Sequence, residues 1–333
     1  MGGDYGKFAE VTGASKFSDY VLPFQLEASG ARGRLIRLGP VVDEILSRHA
    51  YPERVSLLLG EAVTLAAMLG AALKFDGKFT LQTQSNGPVS FLVVHYSSPG
   101  HLRGYASFIR DDIGLSSNGG ASSKPLLGDG HLAMTIDPGA GMERYQGIVS
   151  LAGNTLVDAA HEYFDQSEQI PTFIRIAVAR QFTAGEAAQP GKWTWRAGGL
   201  MVQKLSQEGG RQESGEASDD LSGAAPSSED DGWLRAQALA ATVEDHELLD
   251  PTLAPERLLY RLFHEERVRA FQATPLDAKC NCSRERVENM LSQFSPAELD
   301  GMAENDVIMV TCEFCNTHYR FAADQYLKGA QKH

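Results

Sequence analysis

The chain has 333 residues, 43% of them hydrophobic and 22% charged, which is enough for one large domain with its own core and a smaller one. The formal net charge is −13, and most of the excess lies between Ser206 and Asp250, where twelve acidic residues face two basic ones. No basic face is left to grip nucleic acid, and the segment Met1 to Glu27 has no apolar run like a signal peptide, so a cytoplasmic protein that spans no membrane is expected.

Residues 1 to about 16 read as a lead-in. Ser18 to Leu38 alternates apolar and polar residues and predicts strands, with Gly30 and Gly33 marking turns. Pro40 opens a helix carrying Val41, Val42, Ile45 and Leu46, which stops before Pro52. A second helix is predicted from Arg54 to Lys74. Its run from Val55 to Phe75 is interrupted by charge only at Glu61 and Lys74, and its Ala and Gly content fits a helix buried in a globular core rather than a membrane span. Strands follow at Phe79–Gln84 and Val89–Tyr96 around an Asn86-Gly87 turn, then at 102–109, 132–136 and 145–151. Thr155 to Gln166 has helical spacing, and Phe173–Phe182 and Trp193–Leu205 return to strand patterning. Short turns join most of these strands. Residues 1–205 are therefore expected to form an α+β domain of mainly antiparallel sheets.

Residues 206–232 are rich in Glu, Asp, Ser and Gly and have almost nothing to bury; they are expected to be a disordered acidic insert. A helical linker is predicted over 233–275, with helices from Trp233 to Leu249 and from Pro255 to Phe271. The second presents Leu258, Leu259, Leu262 and Phe263 on a broad apolar face. The remainder, 276–333, is a small module with helices at Arg284–Phe294 and after the Ser295-Pro-Ala-Glu298 capping box, and a strand at Val307–Val310.

All four cysteines fall in that module, as Cys280-Asn281-Cys282 and Cys312-Glu313-Phe314-Cys315. Two chelating pairs on separate segments are what a tetrahedral four-thiolate zinc site requires. Structural disulfides are the competing reading, disfavoured because nothing suggests export. Asn316 follows the last cysteine, where a knuckle turn needs a left-handed residue. Cysteines two positions apart in extended chain lie about 6–7 Å apart at Cα, near the upper limit for a disulfide. Each pair can thus close on itself once its thiolates meet an oxidant.

Other patterns carry less. Gly128-Asp-Gly130-His-Leu-Ala133 resembles a dinucleotide fingerprint but runs into a strand, and Gly185 to Lys192 has Trp193 where a phosphate loop needs Ser or Thr. His318 is a weak candidate fifth ligand, and His264 reads as a helix residue.

The two cysteine segments, 280–286 and 312–319, resemble the zinc motifs of the heat shock protein 33 family, the redox-regulated holdases also called 33 kDa chaperonins. Leu73–Gly77, Gln84–Pro88, Arg103-Gly104, Glu143–Gly147, Tyr163–Glu168 and Leu262–Glu266 are similar to family segments in the same order. The resemblance covers about residues 17–205 and 233–325. It implies an ATP-independent chaperone rather than an enzyme, inactive when reduced with one zinc ion on Cys280, Cys282, Cys312 and Cys315. It further implies activation by Cys280–Cys282 and Cys312–Cys315 disulfides, unfolding client proteins as partners, client binding helped by the linker, and a homodimer of the oxidised form. The insert and Asn316, where Gly is common, depart from the family pattern. A thiol-disulfide oxidoreductase and a constitutive zinc-ribbon interaction protein are the alternative readings.

Overall fold

In the computed structural model, which describes residues 12–73, 76–113, 126–139, 142–151, 155–184, 190–205 and 228–324, one helix sits at the centre. Helix α2 (Glu53–Gly70) touches both large sheets and buries thirteen of its eighteen residues, which is why its sequence lacks a polar face. Its small residues permit the close approach. A Cβ on Gly60 would meet Val178 at 2.7 Å, and one on Gly70 would meet Tyr96 at 2.4 Å. Among the described residues no helix is long and apolar enough to cross a membrane.

Helix α1 (Pro40–Ser47) precedes α2 and starts on a proline. Gly39 at its N-cap offers no side chain, and Asp19 serves instead, accepting from the backbone N–H groups of Gly39 (2.7 Å) and Val41 (3.0 Å). Strands β1 (Tyr20–Leu26) and β2 (Ala31–Leu38) pair antiparallel with the long hairpin β8 (Thr172–Thr183) and β9 (Lys192–Lys204) in the order β1-β2-β9-β8. The second sheet contains β3 (Lys78–Ser85), β4 (Phe91–Ser97), β5 (His101–Ser107), β6 (Gly130–Asp137) and β7 (Tyr145–Ser150) in the order β5-β4-β3-β6-β7, all antiparallel. Helix α3 (Leu156–Tyr163) begins with a Thr155 capping box and ends in a π-helical turn at Phe164–Glu168. These elements match the expected α+β class and the expected antiparallel pairing.

The first sheet is covered on its other face as well. Helices α4 (Ser228–Ala241), α5 (Asp245–Leu249) and α6 (Pro255–Phe263) pack there, and a second apolar cluster joins them to Tyr20, Leu22, Phe24, Leu26 and Leu35. β1 is accordingly apolar on both faces.

Several expectations are corrected. The helix predicted from Trp233 to Leu249 breaks at Thr242, because Glu244 starts α5 with its own capping box. The helix predicted to run to Phe271 ends at Phe263. Arg267 is left-handed (φ 52°), and the chain then becomes β10 (Val268–Ala270) and β11 (Thr274–Pro275), both antiparallel to β1. Edge pairing with an available strand overrides helical periodicity. β12 (Asp277–Ala278) crosses to the second sheet and pairs parallel with β5. The last turn of the expected insert, Ser228–Gly232, is helical and opens α4, while the rest of that expectation, 206–227, lies outside the described residues.

The final module has helices α7 (Arg284–Leu291) and α8 (Pro296–Met302) and an antiparallel sheet of β13 (Ala303–Glu304), β14 (Val307–Thr311) and β15 (His318–Ala322). Five side chains form its buried cluster: Leu291, Leu299, Ile308, Phe321 and Ala323.

Candidate metal centre

Two segments bring the four cysteines together. Ser283 ends the first pair and caps α7, its hydroxyl accepting from Arg286 N at 3.2 Å, while the Arg286 guanidinium donates back to Asn281 O at 2.6 Å. The residue between the cysteines is thereby tied to the helix that follows. The second pair forms the turn from β14 to β15. Asn316 N donates to Cys312 O (2.8 Å), Cys312 N donates to Thr317 O (2.9 Å), and Asn316 takes the left-handed conformation at φ 56°.

The four sulfurs lie within 4.8 Å of one another, and all are free. Cys282 Sγ is 3.2 Å from Cys315 Sγ, and Cys280 Sγ is 3.6 Å from Cys312 Sγ. Four thiolates on a tetrahedral zinc at about 2.3 Å stand about 3.8 Å apart, so the donor set fits the ion. Electrostatics agree. Burial pushes the Cys282 thiol up to about 12, with the neighbouring sulfurs adding to it, and burial raises Cys312. At Cys315 burial acts the same way, but hydrogen bonding from Thr317 and the adjacent thiols outweighs it and brings the group to about 6. Four crowded sulfurs cannot all ionise beside one another without a cation among them. Tyr319 OH donates to Cys282 Sγ at 3.2 Å, an outer contact that orients that sulfur. His318 is outside the cluster; its Nδ1 faces Thr311 Oγ1 at 2.8 Å.

The cysteine turn is seated on the second sheet, a contact that sequence reasoning missed. Phe314, between Cys312 and Cys315, lies under the Arg103 guanidinium (4.1 Å) and against the His95 ring (5.1 Å). Asn316 Nδ2 donates to Arg48 O at 3.0 Å. Arg103 Nε donates to His95 Nδ1 at 3.0 Å, so that nitrogen carries no proton. Burial, then the Lys78 and Arg103 charges, lower His95 to about 3. His49 is lowered mainly by burial, partly offset by the Glu313 and Phe314 backbone. A phenylalanine inside a Cys-x-x-Cys turn was the available signal, although nothing local identifies its receptor.

Immediately upstream, the chain is laced to both sheets. Ala28 N donates to Glu266 O (3.1 Å), Phe271 N to Pro23 O (2.9 Å), Leu276 N to Asp19 O (3.0 Å), Asp277 N to Gly100 O (3.0 Å) and Lys279 N to Leu102 O (2.9 Å). Cys280 is the next residue. Behind this lacing, Leu258, Leu259, Leu262 and Phe263 are 0, 0, 2 and 0% exposed, and Phe263 stacks on Phe24 with ring centroids 5.6 Å apart. Polar side chains fasten the same helices. Arg37 donates to the carbonyls of Leu253 and Glu247, buried Glu256 accepts from Thr12, and buried Glu266 pairs with Arg235. The structure thus gathers the cysteines at one point and the four linker side chains at another, joined by sixteen residues of chain from His264 to Lys279.

Comparison with known proteins gives one consistent result. The family described as "Hsp33 protein" matches residues 19–322. The 33 kDa chaperonin of Caulobacter vibrioides is 43% identical over 305 residues, covering 91% of this chain and 94% of that protein. The 33 kDa chaperonin of Pseudomonas aeruginosa PAO1 is 36% identical over 308 residues, covering 92% of each. The crystal structure of the 33 kDa chaperonin from Thermotoga maritima superposes with a TM-score of 0.72 at 22% identity, covering 94% of this chain and 99% of that one, which is a likeness of fold.

Proposed function

The chain belongs to the Hsp33 family, and from that premise we propose that it is an ATP-independent holdase, switched on by oxidation of its four cysteines. The observation that carries this reading is the position of Cys280, one residue beyond the last backbone hydrogen bond that laces the linker to the sheets. When bound in the reduced protein, one zinc ion on Cys280, Cys282, Cys312 and Cys315 supplies the cross-links that a module with five buried apolar side chains lacks.

Oxidation acts on the sulfurs. Two thiolates give up two electrons and form a disulfide, while the O–O bond of peroxide takes those electrons and breaks to hydroxide. We assign the pairs as Cys280–Cys282 and Cys312–Cys315. The shortest contacts in the folded module run across the pairs, Cys282 to Cys315 and Cys280 to Cys312. Once the module loosens, however, cysteines tethered by one or two intervening residues stay close at a smaller loop-closure cost than the cross-pairs, which are about thirty residues apart. Disulfide sulfur is no longer a thiolate ligand.

Loss of the cysteine turn removes the seat of Phe314 on Arg103 and His95, and β12, β11 and β10 then lose their anchored end. Exposing each of Leu258, Leu259, Leu262 and Phe263 costs about 2 kcal/mol, so α6 stays docked while its fastenings hold. The apolar segments of an unfolding client offset that cost. The surface offered to clients has two sides, the face of α6 and the strip of β1 that it covered. Dimerisation of the oxidised form belongs to the same reading and is checked by sedimentation.

The oxidoreductase alternative gains nothing from the geometry, since Cys312 and Cys315 sit on a turn between antiparallel strands and not at a helix start. The test is light scattering of a thermally unfolding client with reduced and with peroxide-treated protein. Protection only after treatment is expected; equal protection in both states favours the constitutive zinc-ribbon alternative.

A further inference from the structure

Away from the cysteines, a cavity of about 190 Å³ opens where the two large sheets meet the C-terminal end of α2. The first sheet contributes Arg32, Arg34 and Gln203, and α2's end and the second sheet contribute Leu73, Phe79 and Ile136. The two arginines are neighbours on the same face of β2, two residues apart. Their Nε atoms are buried with no hydrogen-bond partner. Among the described residues no carboxylate pairs with either. Burial first, and then the adjacent Arg32 charge, lower Arg34 to about 10. Glu168 also lines the cavity, but its Oε1 is engaged by Tyr163 OH at 2.6 Å.

A folded protein does not normally keep two half-buried like charges side by side without a carboxylate paired directly to either. Arginine rather than lysine is the residue that matches a planar carboxylate with paired N–H donors. We propose that this cavity is a binding site for a small organic carboxylate with an aliphatic body, its carboxylate on Arg32 and Arg34 and its chain against Leu73, Phe79 and Ile136. The site is independent of the cysteines and of the chaperone reading.

The experiment is isothermal titration of the reduced full-length protein with hexanoate, using 1-hexanol and acetate as probes lacking the charge or the chain. Hexanoate is expected to bind saturably with Kd below about 1 mM, and each control about tenfold or more weakly. Arg34→Met should weaken hexanoate about tenfold or more while leaving the melting temperature equal or higher, since it removes an unpaired buried charge. Leu73→Trp keeps both arginines and fills the cavity, and should also abolish binding. Absence of saturable hexanoate binding overturns the proposal. So does binding that survives both substitutions, or equal binding of 1-hexanol.

Discussion

Around α2, forty buried apolar side chains form one continuous cluster, whereas the module after Lys279 buries five. The first region uses two sheets and a helix that is apolar nearly all round. The second is a few dozen residues long, too short to bury such a core, and instead draws four sulfurs together at one point. A cluster of many small contacts has no single bond whose loss dissolves it, but a single coordination point can be removed in one chemical event. The α6 region lies between these extremes. Its face is well packed, yet its C-terminal end is fastened by chain that leads directly to Cys280. The proposed switch sits where dense packing hands over to a few removable bonds.

The largest expected effect breaks the contrast at its weak end. Cys312→Ser removes one of the four proposed zinc ligands, and such a site is worth about 10 kcal/mol in small zinc modules. Amide exchange should become fast across 280–324 while α2 stays protected. Equal protection in both regions of that variant would show that the sulfurs are not what holds the module. Phe263→Ala strikes the intermediate region and should cost about 3–5 kcal/mol. Dye binding without oxidant, with one zinc per chain retained, is the expected readout; unchanged dye binding would mean that α6 is not the concealed surface.

Phe314→Ala tests the joint itself. Loss of its contacts with Arg103 and His95 should cost about 1–2 kcal/mol, raise amide exchange in 268–279 and leave zinc content unchanged. Exchange indistinguishable from wild type would uncouple the cysteine turn from the lacing. The smallest effect is one of pH. His95 is held at about 3 against 6.5 unprotected, so its contribution is complete above pH 6.5 and is lost as pH falls from 6.5 toward 3. With the ring only half-buried, about 1 kcal/mol should be missing at pH 5. Urea midpoints at pH 7 and 5 should fall less in His95→Asn than in wild type, and equal falls would clear His95 of this role.

Much of this was legible in the sequence because it is written locally. Period-two runs located β1 to β9, Pro40 and Thr155 marked helix starts, and the cysteine spacing named all four members of the cluster. What stayed hidden depends on partners far along the chain. Val268 to Phe271 continues an amphipathic helical pattern, and only the free edge of β1, some 245 residues earlier, turns it into a strand. Phe314 declares itself as an apolar residue in a tight turn, but Arg103 and His95 become its seat only when β4 and β5 pair. Arg32 and Arg34 look like ordinary polar positions of an alternating strand, and their lack of partners appears only after the second sheet closes over them.

Hydrogen exchange of the α6 backbone, followed before and after peroxide oxidation of the four cysteines, tests the central claim most directly. The account predicts that amides from 255 to 279 lose protection upon oxidation while those of α2 keep theirs. Full protection of α6 in protein whose four cysteines are all in disulfides would contradict it.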